Sequence, residues 1–355
     1  EHFSQLARVR EYERFDQSLQ SHWPIYQAEI EARSEFEIVL LATASTDPFA
    51  EGAVERIQKC CEQLIVLSER FDSPSIMQLT LLADALRCEW LQDYATAIEI
   101  SDRAFVFLAE NKMYTCPNKS FSFDLLTLRC HLYLRDYTNG KSAAEARLSM
   151  YALGTPAWYR ITELFFLLSM HTGKYLNALA VQQEVLSGEP VKDGSAAEAK
   201  RWQVYGLYLH LVFETDRAEK AHFHGSKRLA SRWNAWLGDR KRDGIEDSDW
   251  FFPLAVARIC LLLLKKKNPL AATCAARLDE HLAKTRHRLS ERSRLFWKML
   301  RTVAQKGIRP DNGRLVDKYH RALLAMPYRH CDSEDCTEIL PYEKLWALLL
   351  TKADR

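Results

Sequence analysis

The stretch HTGKYLNALAVQQEVLSGEP, His171–Pro190, decides how the rest of the chain is read. It places Gly173, Tyr175, Ala178 and Pro190 at spacings that suit the second half of an antiparallel helix pair. A glycine takes the left-handed backbone of a tight turn without a Cβ clash. An aromatic just after the turn fills the wedge between two helices. A small residue one turn later lets the neighbouring helix come close, and a proline beyond the second helix stops it.

The pattern recurs along the chain. LQDYATAIEISDRAF carries Asp93, Tyr94, Ala97, Ile98 and Ala104 at the same offsets, with Leu81, Ala85 and Cys88 at packing positions upstream. LRDYTNGKSAAEARL repeats Asp136 and Tyr137, with Gly140 where the small residue belongs. RWQVYGLYLHL places Trp202 and Gly206 at the W-x-x-x-G spacing of a first helix, TDRAEKAHF offers a start for its partner, and KNPLAATCAARL is a weaker later copy. The turn tyrosines 94, 137 and 175 are 43 and 38 residues apart. An irregular helical bundle with ordinary aromatic and alanine packing is the competing reading of the same residues.

These stretches resemble the tetratricopeptide repeat, whose usual second half runs G-D-Y-x-x-A-I, then A-L, then P. The likeness covers residues 75–235, and because the family unit is about 34 residues, the copies here would carry extended helices or linkers. The resemblance implies an all-α fold, a right-handed superhelical array of antiparallel helix pairs. Its concave side, lined by first helices, would receive an extended peptide or a partner helix. Residues 1–72 are read as N-terminal helices, 73–237 as the repeat-like pairs, and 250–355 as C-terminal pairs with a capping helix, together one continuous array. In the pair ending at Pro190 the first helix is WYRITELFFLLSMH, and its polar residues Arg160, Glu163 and His171 are expected at solvated edges.

Composition agrees with long helices. Only 12 Gly and 11 Pro occur in 355 residues, too few for the turns of a strand-rich chain. Helical periodicity continues almost throughout: in Trp23–Ala44 the apolar residues Ile25, Ile30, Phe36, Val39 and Leu40 are expected near one face. The most apolar run, Trp250–Leu264, holds Pro253 and Arg258, falls short of a bilayer span, and reads as a buried helix. Nine cysteines, an odd number mostly set singly in apolar helical stretches, read as free thiols in a reducing, bacterial cytoplasm. The final helix, TEILPYEKLWALLLTKADR, is expected to cap the array through Leu345, Trp346, Leu349 and Leu350.

Catalytic signatures are missing. RDYTNGKS ends like a phosphate loop, but Arg135 stands at the first glycine position and the segment reads as helix. RHCDSEDC, Arg329–Cys336, groups two cysteines, a histidine and two aspartates, yet without a second ligand pair it reads as an exposed loop. No enzyme activity, cofactor or metal is expected, and no membrane. The charge is uneven, −7 over residues 1–177 and +9 over 178–355, summing to the net +2. In the basic half Arg228 and Arg232 lie near Trp233 and Trp236, and Arg288, Arg292 and Arg294 near Lys298. Cations interleaved with aromatics suit contact with an anionic partner, though amphipathic helices have the same look. The expectation is therefore a non-catalytic protein- or peptide-binding scaffold. The alternative is a regulator or defence component whose basic half contacts nucleic acid.

Overall fold

A computed structural model of the chain describes residues 2–43, 52–112, 117–187, 196–215, 250–285, 289–306, 310–328 and 338–353. Among them every regular element is an α-helix. The chain divides into two compact units, Glu1–Cys130 and His131–Arg355.

In the first unit the helices are α1 (His2–Thr43), α2 (Ala53–Arg70), α3 (Pro74–Trp90), α4 (Tyr94–Glu110) and the larger part of α5 (Pro117–Leu134). Helix α1 packs on both α2 and α3, which also pack on each other, and α3 packs on α4. Ala28, Ala32 and Val39 of α1 meet Ile57, Cys60, Leu64 and Ile76 in one core cluster. A second cluster joins Ala85 and Cys88 to Ala97, Ile100, Leu126 and Cys130. Inside this unit Arg129 and Glu89, both nearly buried, form a two-pronged ion pair at 2.7 and 2.8 Å between α5 and α3.

The second unit holds the end of α5, then α6 (Tyr137–Leu148), α7 (Pro156–His171), α8 (Tyr175–Ser187), α9 (Ala196–Thr215), α10 (Phe251–Leu264), α11 (Asn268–Thr285), α12 (Glu291–Lys306), α13 (Pro310–Leu324) and α14 (Tyr342–Ala353). Packing runs from neighbour to neighbour from α6 to α14, with additional contacts of α10 with α12 and of α14 with α9 and α10. Helix α7 is buried almost all round, from Ile161 to His171, as a central helix must be. The apolar run read as a buried helix is α10, with Val256, Ala257, Ile259 and Cys260 fully covered. Helix α14 goes beyond capping the last pair: it also packs on α9 and α10.

The recurrence seen in sequence has a backbone counterpart. Gln92, Arg135, Gly173 and Lys266 have φ of 66°, 53°, 75° and 56°, the left-handed region. In each case the next amide reaches back five residues: Asp93 N to the Cys88 carbonyl at 2.9 Å, Asp136 to His131 at 3.0 Å, Lys174 to Ser169 at 2.8 Å and Lys267 to Leu262 at 2.9 Å. This is the Schellman closure, which satisfies carbonyls left over at the end of the first helix. The second helix begins one residue later, at Tyr94, Tyr137, Tyr175 and Asn268. Three residues on, Ala97, Gly140, Ala178 and Ala271 are all buried. Tyr175 is buried, while Tyr94 and Tyr137 are half-buried, and the Tyr137 hydroxyl accepts a hydrogen bond from Asn177 Nδ2 at 2.5 Å. Trp202 and Gly206, read as first-helix packing residues, are buried in α9. The expected partner of that helix and Pro190 lie outside the described residues.

Gly140 shows why the third position is small. A Cβ there would stand 2.5 Å from Leu168 Cδ2 and 2.9 Å from His131 Cβ. The leucine tip can rotate, but the histidine Cβ is fixed to its backbone. Gly140→Ala is therefore expected to destabilise the second unit despite the better helix propensity of alanine. Overpacking costs about 1–3 kcal/mol and the propensity gain returns about 1. Chemical denaturation that finds the variant as stable as the parent would show that α6 moves away freely.

Capping sets the helix starts. Ser73, Asp93, Asp136 and Thr155 each accept a hydrogen bond from an amide three residues on, and Pro74 and Pro156 occupy the first helical turn. For Asp136, partial burial works against ionisation. Hydrogen bonds from the Asn139 side chain and amide, nearby His131, and the Thr138 amide outweigh it and hold the carboxyl below its ordinary 3.8. A depressed carboxylate adds stability above its unfolded pKa and loses it as pH falls through the folded one. Asp136→Ala is thus expected to cost about 1 kcal/mol at neutral pH, with parent and variant converging as the pH falls below 3.8 and through the lowered folded-state pKa. Denaturation curves across that range measure the convergence.

Candidate partner-binding surface

Of the three polar residues expected at the edges of α7, Arg160 is half-buried and the other two are inside. Glu163 and His171 are buried. Glu163 Oε1 accepts from Tyr205 Oη at 2.5 Å, and Oε2 from Arg201 at 3.1 Å and Arg160 at 3.4 Å. Arg201 also lies over the Trp250 ring at 4.9 Å. Phe166 stacks on Tyr205 and meets Trp202 edge-on. Helix α9, forty residues downstream of α7, supplies most of these partners, and no local pattern on α7 announces them. A carboxylate engaged by a phenol and two guanidinium groups ties α7 to α9.

Arg292 corrects a second expectation. Read as a contact for an anionic partner, it is 7% exposed. Its guanidinium donates to Glu338 at 2.8 and 2.9 Å, to Glu343 at 2.6 Å, to the Leu323 carbonyl at 3.0 Å and to the Met326 carbonyl. Burial pushes the Glu338 carboxyl up, against the pull of Arg292 and the Tyr342 amide. Arg294 and Lys298 do stand exposed on α12, with Lys298 5.6 Å from the Tyr319 ring centre, but the next cation on that face, Arg301, pairs with Asp279 at 3.0 Å. Arg228, Arg232, Arg288 and the His330–Cys336 cluster lie outside the described residues.

The thiols are placed for packing. Cys60, Cys61, Cys88, Cys130 and Cys260 are free and buried. Burial pushes Cys60 up to about 12 and Cys61 to about 11, and raises Cys88, Cys130 and Cys260 as well. A nucleophilic cysteine needs the opposite shift. Among the described residues no group of three or more His, Cys, Asp or Glu is placed to hold a metal ion. Nor is any described helix long and apolar enough to cross a membrane.

The open surface is on α1. At 100° per residue, Leu19, Trp23, Tyr26 and Ile30 fall within about 60° of arc. They are 51%, 52%, 53% and 51% exposed, and the Trp23 and Tyr26 rings lie 5.7 Å apart. The covered face, Ala28, Ala32 and Val39, is about half a turn away. Helical periodicity places Ile30 and Leu40 with Val39, but both are exposed. Alanines, which carry little hydropathic signal, make the packed face because α1 must approach two helices at once.

Helix α1 also outruns its neighbours. Its 42 residues span about 63 Å, against about 27 Å for the 18 residues of α2. Residues 16–27 are exposed except for half-buried Ile25, and the first buried residue with a described side chain is Ala28. Pro24 lies within this projecting part and cannot donate to the Gln20 carbonyl. Helices in proteins draw most of their stability from a packed apolar face, which this part of α1 does not have within the chain, and the internal proline removes one backbone hydrogen bond. Large apolar side chains are thus aligned on the exposed side of this helix.

Set against protein-family models, curated proteins and solved structures, the chain matches none of them.

Proposed function

We propose that the chain is a non-catalytic scaffold of tetratricopeptide-like helix pairs, right-handed as the resemblance implies, that binds a helical segment of a protein partner along the Leu19–Ile30 face of α1. The observation that carries this reading is the apolar stripe on a projecting helix, opposite the face used for packing. Its 4-3-4 spacing is the seam along which two helices interdigitate. Tryptophan and tyrosine are the residues most often found at the energetic centre of protein contacts. The buried charges and thiols support a structural role for the rest, since their partners lie within the fold.

A photo-crosslinking residue in place of Trp23 tests it in the cells that make the protein. Crosslinks mapped to an amphipathic helical segment, and far fewer from exposed Gln17 on the other side of α1, are the expected result. Equal crosslinking from both positions, or none from Trp23, would overturn the reading.

A further inference from the structure

We infer that the segment covering this stripe is α1 of a second copy of the chain, running antiparallel, with the two-fold axis between Pro24 and Ile25. The inference rests on the helix-binding reading above and names its partner. In a two-fold interface the same patch faces itself, so it must be self-complementary. The stripe meets that condition in its numbering. Leu19 and Ile30 are equidistant from the point between residues 24 and 25, and so are Trp23 and Tyr26. Reversal of one helix therefore sets Trp23 against Tyr26 of the other copy, twice, at the centre, with Leu19 against Ile30 at each end.

Charge favours the same register. Asp16 and Arg33, both exposed, are also equidistant from that point. Antiparallel pairing brings an acid level with a base at each end, well within a Debye length of about 10 Å. Parallel pairing would align Asp16 with Asp16, Arg33 with Arg33 and Glu37 with Glu37. Pro24 does not obstruct either copy, since it lies about 130° around the helix from the centre of the stripe.

The area suits a modest dimer. Half-exposed side chains of this size offer about 100 Å² each, so the stripe contributes about 400 Å² per copy. A standard interface takes about 800 Å² per partner, and the flanking polar residues supply the difference. Concentration-dependent association is the expected behaviour.

Sedimentation equilibrium of the full chain tests this. The mass is expected to rise from 41.2 kDa toward twice that value as concentration increases. Trp23→Glu with Tyr26→Glu is expected to weaken association at least about tenfold. Both residues are solvent-exposed, so unchanged circular dichroism confirms the fold. Asp16→Arg alone is expected to weaken the dimer, and Asp16→Arg with Arg33→Asp to restore it. A photo-crosslinker at Leu19, mixed with isotopically heavy parent chain, is expected to label the heavy copy near Ile30. A mass that stays at the monomer value, a dimer that ignores the Trp23 and Tyr26 changes, or labelling around Leu19 itself would overturn the pairing. A monomer whose Trp23 position still crosslinks to another protein's helix would sink the self-association and leave the scaffold reading standing.

Discussion

Arg292→Ala is expected to lower the stability of the second unit by about 3–5 kcal/mol. Arg292 and Glu338 are both 7% exposed, and the guanidinium meets two carboxylates and two main-chain carbonyls. Removing it strands Glu338 in a medium that solvates a carboxylate poorly. The Leu323 and Met326 carbonyls lose their donor at the same time. Ser293 and Tyr342, whose hydroxyls lie 2.9 Å apart beside the pair, are disturbed as well. Charge deletion is distinguishable from shape loss. Arg292→Met combined with Glu338→Gln and Glu343→Gln removes the ions together and is expected to recover much of the loss, since buried ion pairs seldom outperform neutral packing. Chemical denaturation measures both. A loss below about 1 kcal/mol in Arg292→Ala would mean that water reaches the site.

Phe166→Ala is expected to cost about 3–5 kcal/mol as well, by a different route. Phe166 is fully buried at the middle of α7. Its ring stacks on Tyr205 with centroids 4.8 Å apart and meets Trp202 edge-on at 5.5 Å. Truncation leaves a void between α7 and α9 and removes the platform that holds Tyr205 against Glu163. Phe166→Leu keeps most of the volume and is expected to lose less than half as much. Equal losses in the two variants would place the energy in ring stacking rather than in the filled volume.

Much of the architecture was legible in the residues, for identifiable reasons. A turn tyrosine with a small residue three positions later, preceded by a capping Asp at Tyr94 and Tyr137, marks helix starts because caps and close approaches are local chemistry, and Tyr94, Tyr137 and Tyr175 do begin α4, α6 and α8. The turns themselves were harder to see. Only Gly173 of the four left-handed turn residues is a glycine, while Gln92, Arg135 and Lys266 take the same backbone under tertiary constraint. Burial of Glu163, His171 and Arg292 was not legible, because all of their partners but Arg160 lie 31 to 167 residues away. The open face of α1 could have been found. Its 4-3-4 spacing stands in the sequence, and the alanines at 28 and 32, small and weakly hydropathic, decide which side is packed.

One contact has a bearing on biosynthesis. His171 Nε2 donates to the Glu338 carbonyl at 2.9 Å, and α14 lies on α9 and α10, so late residues are sewn onto early ones. A nascent polypeptide acquires its long-range contacts last. Helices α7, α9 and α10 therefore leave the ribosome with part of their greasy surface bare, and stay so until residues 338–353 have been translated. Chaperone demand should peak in that interval, and a stop codon between residues 264 and 338 should yield an insoluble product rather than a shorter working protein.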